Sequence, residues 1–177
     1  MQEGRSTSSK SKPSPPDPFS AAIRLLARRS YSVAGLRQAL ERKFGEDAPI
    51  DAVLARLRQL GYLDDRKFAS QFASSLARNR TYGRHRVKHE LKAKLVDHRY
   101  IDDALDQAYD EVNEQQLLEK ALERKLRSIR PPVTTRKVSS LCHSLMRQGF
   151  PFEAIMKAVR ARPELRHPAG DMDSPDS

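Results

Sequence analysis

Leu36, Val87 and Val138 stand fifty-one residues apart, and the same spacing joins Leu40, Leu91 and Cys142, and then Phe44, Leu95 and Met146. Further on it joins Ile50-Asp51, Ile101-Asp102 and Phe152-Glu153, then Leu54, Leu105 and Met156, and finally Leu57, Ala108 and Val159. Apolar meets apolar along the series, and an acid meets an acid at Asp51, Asp102 and Glu153. A period of this length marks a repeated supersecondary unit whose members stack to bury a shared core. It restricts the chain to an array, and arrays offer extended binding surfaces more readily than a catalytic pocket.

The 177 residues suffice for one ordinary domain or a short array. Hydrophobic residues make up 38% and charged residues 32%, so each unit has a thin core and a large wet surface. Trp is absent and there are only 7 Gly, a composition that argues against a β-sandwich or barrel. The formal charge of +10 predicts a polyanionic partner, a nucleic acid or a nucleoprotein before a membrane surface. Cys142 is the single cysteine, so no intramolecular disulfide can form, which fits a reducing cytoplasm. It occupies the place of Leu40 and Leu91 and reads as a small buried apolar residue, not a nucleophile. No apolar run reaches the length of a membrane span, and the N-terminus lacks the apolar region of an export signal.

The pattern predicts an all-α fold of three tandem three-helix repeats forming an elongated, curved array. Residues 1–17 are expected to be a disordered N-terminal tail, because Pro13, Pro15, Pro16 and Pro18 forbid a helix and little can be buried. Repeat 1 is placed at 18–63, repeat 2 at 64–110 and repeat 3 at 111–162, followed by a disordered acidic tail at 163–177. Helical spacing of apolar residues predicts helices over 19–29, 33–44 and from Pro49 to Leu60. Gly61 supplies a left-handed stop and Asp64 caps the next helix. Repeat 2 is read as helices at 64–77, 83–96 and 101–111, repeat 3 as helices at about 114–128, 133–147 and 151–161. The first helices of the repeats align at a spacing of fifty through Leu26, Leu76 and Leu126, and the turns align through Tyr31-Ser32 with Tyr82-Gly83 and Pro49 with Pro151.

Charge is unevenly spread: +4 over 18–63, +2 over 64–110, +6 over 111–162 and −3 over 163–177. Repeat 2 is internally split. Arg78, Arg80, Arg84, Arg86, Lys88, Lys92 and Lys94 face a single acid, Glu90, in their own stretch. With Val87, Leu91 and Leu95 turned to the core, Arg84, Lys88 and Lys92 form a row one turn apart beside the apolar stripe. Such a row can follow a phosphate backbone or meet an acidic groove, and these seven cations are the candidate site for a partner or nucleic acid. A solvated helix face is the plainer reading of the same row.

Other groupings are weaker. His85 and His89 share a face at a spacing that can clip a metal, but no third ligand joins them, so no metal or other cofactor is expected. Asp102, Asp103 and Asp106 suggest a carboxylate site; their place at a first helical turn, with Asp51 and Glu153 at matching places, is better explained by the helix dipole. Tyr31 and Tyr82 can stack on bases, but their repeated position suggests packing at a turn. There is no Gly-rich phosphate loop and no catalytic Ser/His/Asp grouping.

The run Gly61-Tyr62-Leu63-Asp64-Asp65, then Phe68 and Phe72, Tyr82-Gly83, Arg86, Glu90-Leu91 and Ile101, resembles the central signature of the RecX regulatory proteins. Tyr31-Ser32 with Leu36, Leu40 and Phe44 is similar to that family's first repeat, and the resemblance covers roughly 19–161. It differs where the family commonly carries a Lys-Gly or Arg-Gly turn after the second helix: here Lys43-Phe44-Gly45 shifts the glycine, and Val96-Asp97-His98 has none. The resemblance implies a non-enzymatic, cytoplasmic regulator in DNA recombination, repair and the SOS response. It implies binding in the groove of RecA–single-stranded DNA filaments, with restraint of ATP hydrolysis, strand exchange and filament growth. A monomer that meets single-stranded DNA directly or through the filament is the simplest form. The competing readings are an independent helical DNA-binding or architectural protein, which lacks an evident base-reading helix here, and a metal-dependent hydrolase built on Asp102, Asp103 and Asp106.

Overall fold

A computed structural model describes residues 17–166 of the chain. These residues form ten helices: α1 Pro18–Arg28, α2 Val33–Phe44, α3 Ile50–Gln59, α4 Asp65–Arg80, α5 Arg84–Ala93, α6 His98–Asp110, α7 Glu114–Leu126, α8 Thr135–Arg147, α9 Phe152–Arg160 and α10 Pro163–Arg166. No strand occurs among the described residues. The expectation for residues 1–16 and 167–177 falls outside them.

Each group of three helices closes on its own buried cluster. Leu36, Leu40, Ile50, Leu54 and Leu57 centre the first, Val87, Leu91, Ile101 and Leu105 the second, and Leu118, Leu122, Leu145 and Ile155 the third. The period led us to expect a core shared between units. Three separate cores are found because the surfaces where units meet are made of helix ends and polar loops, which cannot be buried without hydrogen-bond partners. Ala77 of α4, buried in the third cluster, and Tyr109 of α6, packed against both the second and third clusters, are exceptions. Leu26, Leu76 and Leu126 each pack at the edge of their own unit's core.

The turns are where the sequence places them. Gly61 (φ 75°) and Gly149 (φ 94°) take left-handed conformations after α3 and α8. Asp64 caps α4 by accepting from Lys67 N at 3.0 Å. Ser32, Gly83 and Thr134 are the N-caps of α2, α5 and α8, at the fifty-one-residue spacing throughout.

Four expectations need correction. α5 ends at Ala93, not 96, and Leu95 does not face the core: it is 43% exposed and left-handed at φ 58°. The chain turns there without a glycine, so no residue type marks the turn. α6 begins at His98, capped by Asp97, so Asp102 and Asp103 lie beyond the first turn and the helix dipole does not explain them. In the third unit Cys142 and Val159 are buried where the period places them, but Leu141, Leu145 and Ile155 join them in the core while Met146 and Phe152 are exposed. Finally, the third unit reaches past residue 162, because α10 carries Leu165, 2% exposed, into its core. Pro163 followed by Glu164 is a helix-start signal that a tail reading overlooks.

Candidate nucleic-acid interface

The units meet at two joints wired in the same way. In the first, Val33 N at the start of α2 donates to Asp65 Oδ1 on α4 at 2.8 Å, and Ser32 Oγ donates to Lys94 O at the end of α5. Burial raises the Asp65 carboxyl above its ordinary value, the Val33 amide partly opposing this. In the second, Arg84 N at the start of α5 donates to Glu114 Oε1 on α7 at 2.8 Å, and Gly83 N donates to Gln148 O at the end of α8 at 2.8 Å. In each case an acid at the first position of the next unit's first helix satisfies an amide at the start of α2 or α5. The second joint brings backbones together: a Cβ on Gly83 would lie 2.8 Å from Phe150 N, and one on Gly149 would fall on Arg86. The joints tie α5, which carries Arg84, Arg86, Lys88 and Lys92, to both neighbours.

The sequence row lies along α5, but much of it faces α6. Arg84 pairs with Asp106, and Lys88 Nζ donates to Asp102 Oδ1 at 2.7 Å. The Lys88 ammonium beside Asp102 holds that carboxyl below the usual range. Bases at one-turn spacing on α5 thus meet acids at one-turn spacing on α6. The same pair exists one period earlier: Arg37 binds Asp51 and lowers its pKa, with both partners offset by fifty-one residues from Lys88 and Asp102. The recurring acid therefore marks a bond between the second and third helices of a unit. The third unit has Ser139 opposite Glu153 at these places and lacks the pair.

The remaining candidates scatter around this zipper. Arg78 pairs with Glu111, and Arg86 pairs with Glu90 at 2.6 Å while lying 5.6 Å from the Tyr82 ring centroid. Arg86 Nε is buried without a hydrogen-bond partner. Lys94 Nζ stands 5.9 Å from the Phe72 ring centroid. Arg80 and Lys92 are exposed and make no ion pair among the described residues. The row is therefore a surface of partly neutralised cations, whose pairs are exposed: Lys88 and Asp102 side chains are 43% and 70% accessible. Exposed pairs of this kind are worth about 0–1 kcal/mol and exchange readily for another anion.

Other singled-out residues have structural surroundings. Burial raises the Cys142 thiol pKa, the setting of an inert packing residue. Tyr82 O accepts from the Tyr109 hydroxyl at 2.7 Å, and Arg29 covers Tyr31 at 4.4 Å, so both turn tyrosines are engaged locally. His85 and His89 are exposed. Among the described residues no group of three His, Cys, Asp or Glu is placed to hold a metal, and no helix is long and apolar enough to cross a membrane. A basic cluster in the third unit, around Lys125 and Lys137 between α7 and α8, was missed in the sequence; the +6 of that segment was its one signal.

Known proteins share both sequence and fold. Residues 19–57 match the first three-helix domain of RecX and residues 64–105 the second. A "Regulatory protein RecX" of Chlorobaculum tepidum is 32% identical over 139 residues, 78% of this chain and 84% of that protein. The Thermus thermophilus protein of the same name is 55% identical over 51 residues, so the chain spans only 35% of that relative's length. The crystal structure of RecX from Lactobacillus salivarius superposes with a TM-score of 0.64 at 18% identity, covering 84% of this chain and 94% of that one. A second crystal structure of regulatory protein RecX gives 0.69 at 19% identity, covering 82% and 72%. The caps of α2, α5 and α8 repeat at one spacing across the units, and the Chlorobaculum protein matches along most of both chains: this chain belongs to the RecX family.

Proposed function

We propose that this chain is a non-enzymatic regulator of the RecA recombinase that seats itself in the groove of RecA–single-stranded DNA filaments. There it restrains ATP hydrolysis, strand exchange and filament growth, in the service of recombination, repair and the SOS response in the cytoplasm. The observation that carries this reading is the match to "Regulatory protein RecX" across 139 residues. The surface is compatible with it. Arg84, Lys88 and Lys92 present exposed cations on one helix, and the carboxylates of Asp102 and Asp106 can be exchanged for acids of a protein groove or for DNA phosphates. Arg78, Arg80, Arg86 and Lys94 flank the row and complete the contact. A monomer suffices, because one chain already provides three units in series.

The test replaces Arg84, Lys88 and Lys92 together with Ala. None is in a buried cluster, so the fold should persist. Inhibition of RecA-driven ATP hydrolysis on single-stranded DNA is expected to weaken by about tenfold or more, as three phosphate or carboxylate contacts are lost. Inhibition at full strength contradicts the basic-row mechanism.

A further inference from the structure

A second basic surface lies in the third unit. α7 and α8 diverge around a cleft of about 210 Å³ lined by Lys125, Ser128, Ile129, Lys137, Ser140 and Ser144, together with Leu141 on its floor. Two ammonium groups and three hydroxyls meet there, and among the described residues no carboxylate lines the wall. The acids of α7 are committed elsewhere: Glu119 and Glu123 bind Arg162, and Glu114 accepts from Arg84 N of the neighbouring unit.

The donors are held ready. Lys137 Nζ donates to Arg130 O at 2.7 Å and Pro132 O at 2.8 Å, which fixes its position and leaves one N–H for an anion. Lys125 Nζ donates to Ser144 Oγ at 2.6 Å. Ser144 accepts that bond with a lone pair, so its own hydroxyl proton remains to be given. Ser140 is exposed at the cleft. Burial, with Arg124 and Arg147 close by, lowers the Lys125 pKa. An ammonium crowded by like charge and bonded only to a neutral hydroxyl is stabilised by an arriving anion. Lysine point charges with hydroxyl donors suit the several acceptor oxygens of a phosphate.

We propose that the cleft between α7 and α8 is a phosphate-binding site in which Lys125, Lys137, Ser140 and Ser144 seat one phosphodiester of a single-stranded nucleic acid. The site is built from other helices than the α5 row and needs no recombinase, so it can fail while the RecA reading survives, and the reverse.

The experiment uses the full chain and a fluorescent twenty-residue oligothymidine, without RecA, with binding followed by anisotropy across a salt series. Lys125→Gln removes a cleft cation, and Ser140→Asp places a negative charge at an exposed position outside the core. Lys157→Gln removes an exposed cation on α9, away from the cleft. Lys125→Gln and Ser140→Asp are each expected to weaken binding about three- to tenfold and to reduce the salt slope by about one, more than Lys157→Gln does. Unchanged melting of Ser140→Asp separates loss of binding from loss of fold. Inorganic phosphate, titrated as competitor, should displace the oligonucleotide from the wild-type chain and not further weaken Ser140→Asp. Wild-type affinity and slope in both cleft variants, or losses no greater than those of Lys157→Gln, overturn the proposal. Binding of inorganic phosphate at the cleft with oligonucleotide affinity unchanged overturns it too, since the cleft would then serve the free anion.

Discussion

The middle and third units carry similar numbers of bases and use them differently. On α5 the cations at one-turn spacing lie against acids at the same spacing on α6, so Arg84 and Lys88 are already paired. Around the α7–α8 cleft no acid among the described residues answers Lys125 or Lys137, which bond instead to a hydroxyl and to backbone carbonyls. The dense run of bases in the middle unit draws the eye in the sequence, yet the third unit leaves more of its positive charge unmatched. Charge per residue is a property of the chain, whereas available charge is a property of which helix faces which.

The sharpest way to break the comparison is to break the joint that holds the two units together. Gly149→Ala would set a Cβ against Arg86 at a left-handed φ of 94° and is expected to destabilise by about 3 kcal/mol or more in urea unfolding. A change below about 1 kcal/mol would show the joint to be soft. Next in size is an exchange of character. Asp102→Asn with Asp106→Asn unpairs Lys88 and Arg84, making the α5 face resemble the α7–α8 cleft. Affinity for single-stranded oligonucleotide should rise about fivefold with a steeper salt slope, while thermal melting scarcely moves. No gain in affinity would mean that the pairs do not limit the row. Ser32→Ala removes both the α2 cap and the bond to Lys94 O, for an expected loss of about 1 kcal/mol by chemical denaturation. Ser32 is only 1% exposed, so an effect near zero would contradict the wiring of the first joint.

The smallest effect distinguishes acids by sign. The pKa of Asp102 is lowered by Lys88, so its stabilising contribution is present above the unfolded carboxylate value near pH 4 and is lost as pH falls through the lower folded value. Asp65, raised by burial, behaves oppositely: its penalty is absent below about pH 4 and grows as pH rises through its folded value. Melting temperatures taken from pH 3 to pH 6 should therefore lose a rise with pH in Asp102→Asn and lose a fall with pH in Asp65→Asn. Equal slopes in the two variants would contradict these assignments.

The fifty-one-residue period carried much of this architecture. It located the turn at Tyr31-Ser32 and Tyr82-Gly83 and most core positions of the first two units, because turns and buried apolar positions are set locally and leave residue types behind. It failed where geometry has no residue signature. Leu95 turns left-handed without a glycine, and in the third unit Leu141, Leu145 and Ile155 are buried while the period positions Met146 and Phe152 are exposed. The candidate row was legible as a row. Its partners were not, since Asp102 and Asp106 reach Lys88 and Arg84 only once α6 has folded back. A trace was present nonetheless: Arg37 and Lys88, like Asp51 and Asp102, recur at the same period. The Lys125–Lys137 cleft left only an excess of bases, because the diversion of Glu119 and Glu123 to Arg162 depends on α9 and α10.

The most direct test of the account is sedimentation of the full chain with RecA–single-stranded DNA filaments at about 50 and about 200 mM salt, omitting each component in turn. The chain should pellet with the filaments at the lower salt and largely leave them at the higher, as expected for exposed cations gripping an anionic assembly. A chain that stays in the supernatant at both would contradict the proposed binding of the filament groove.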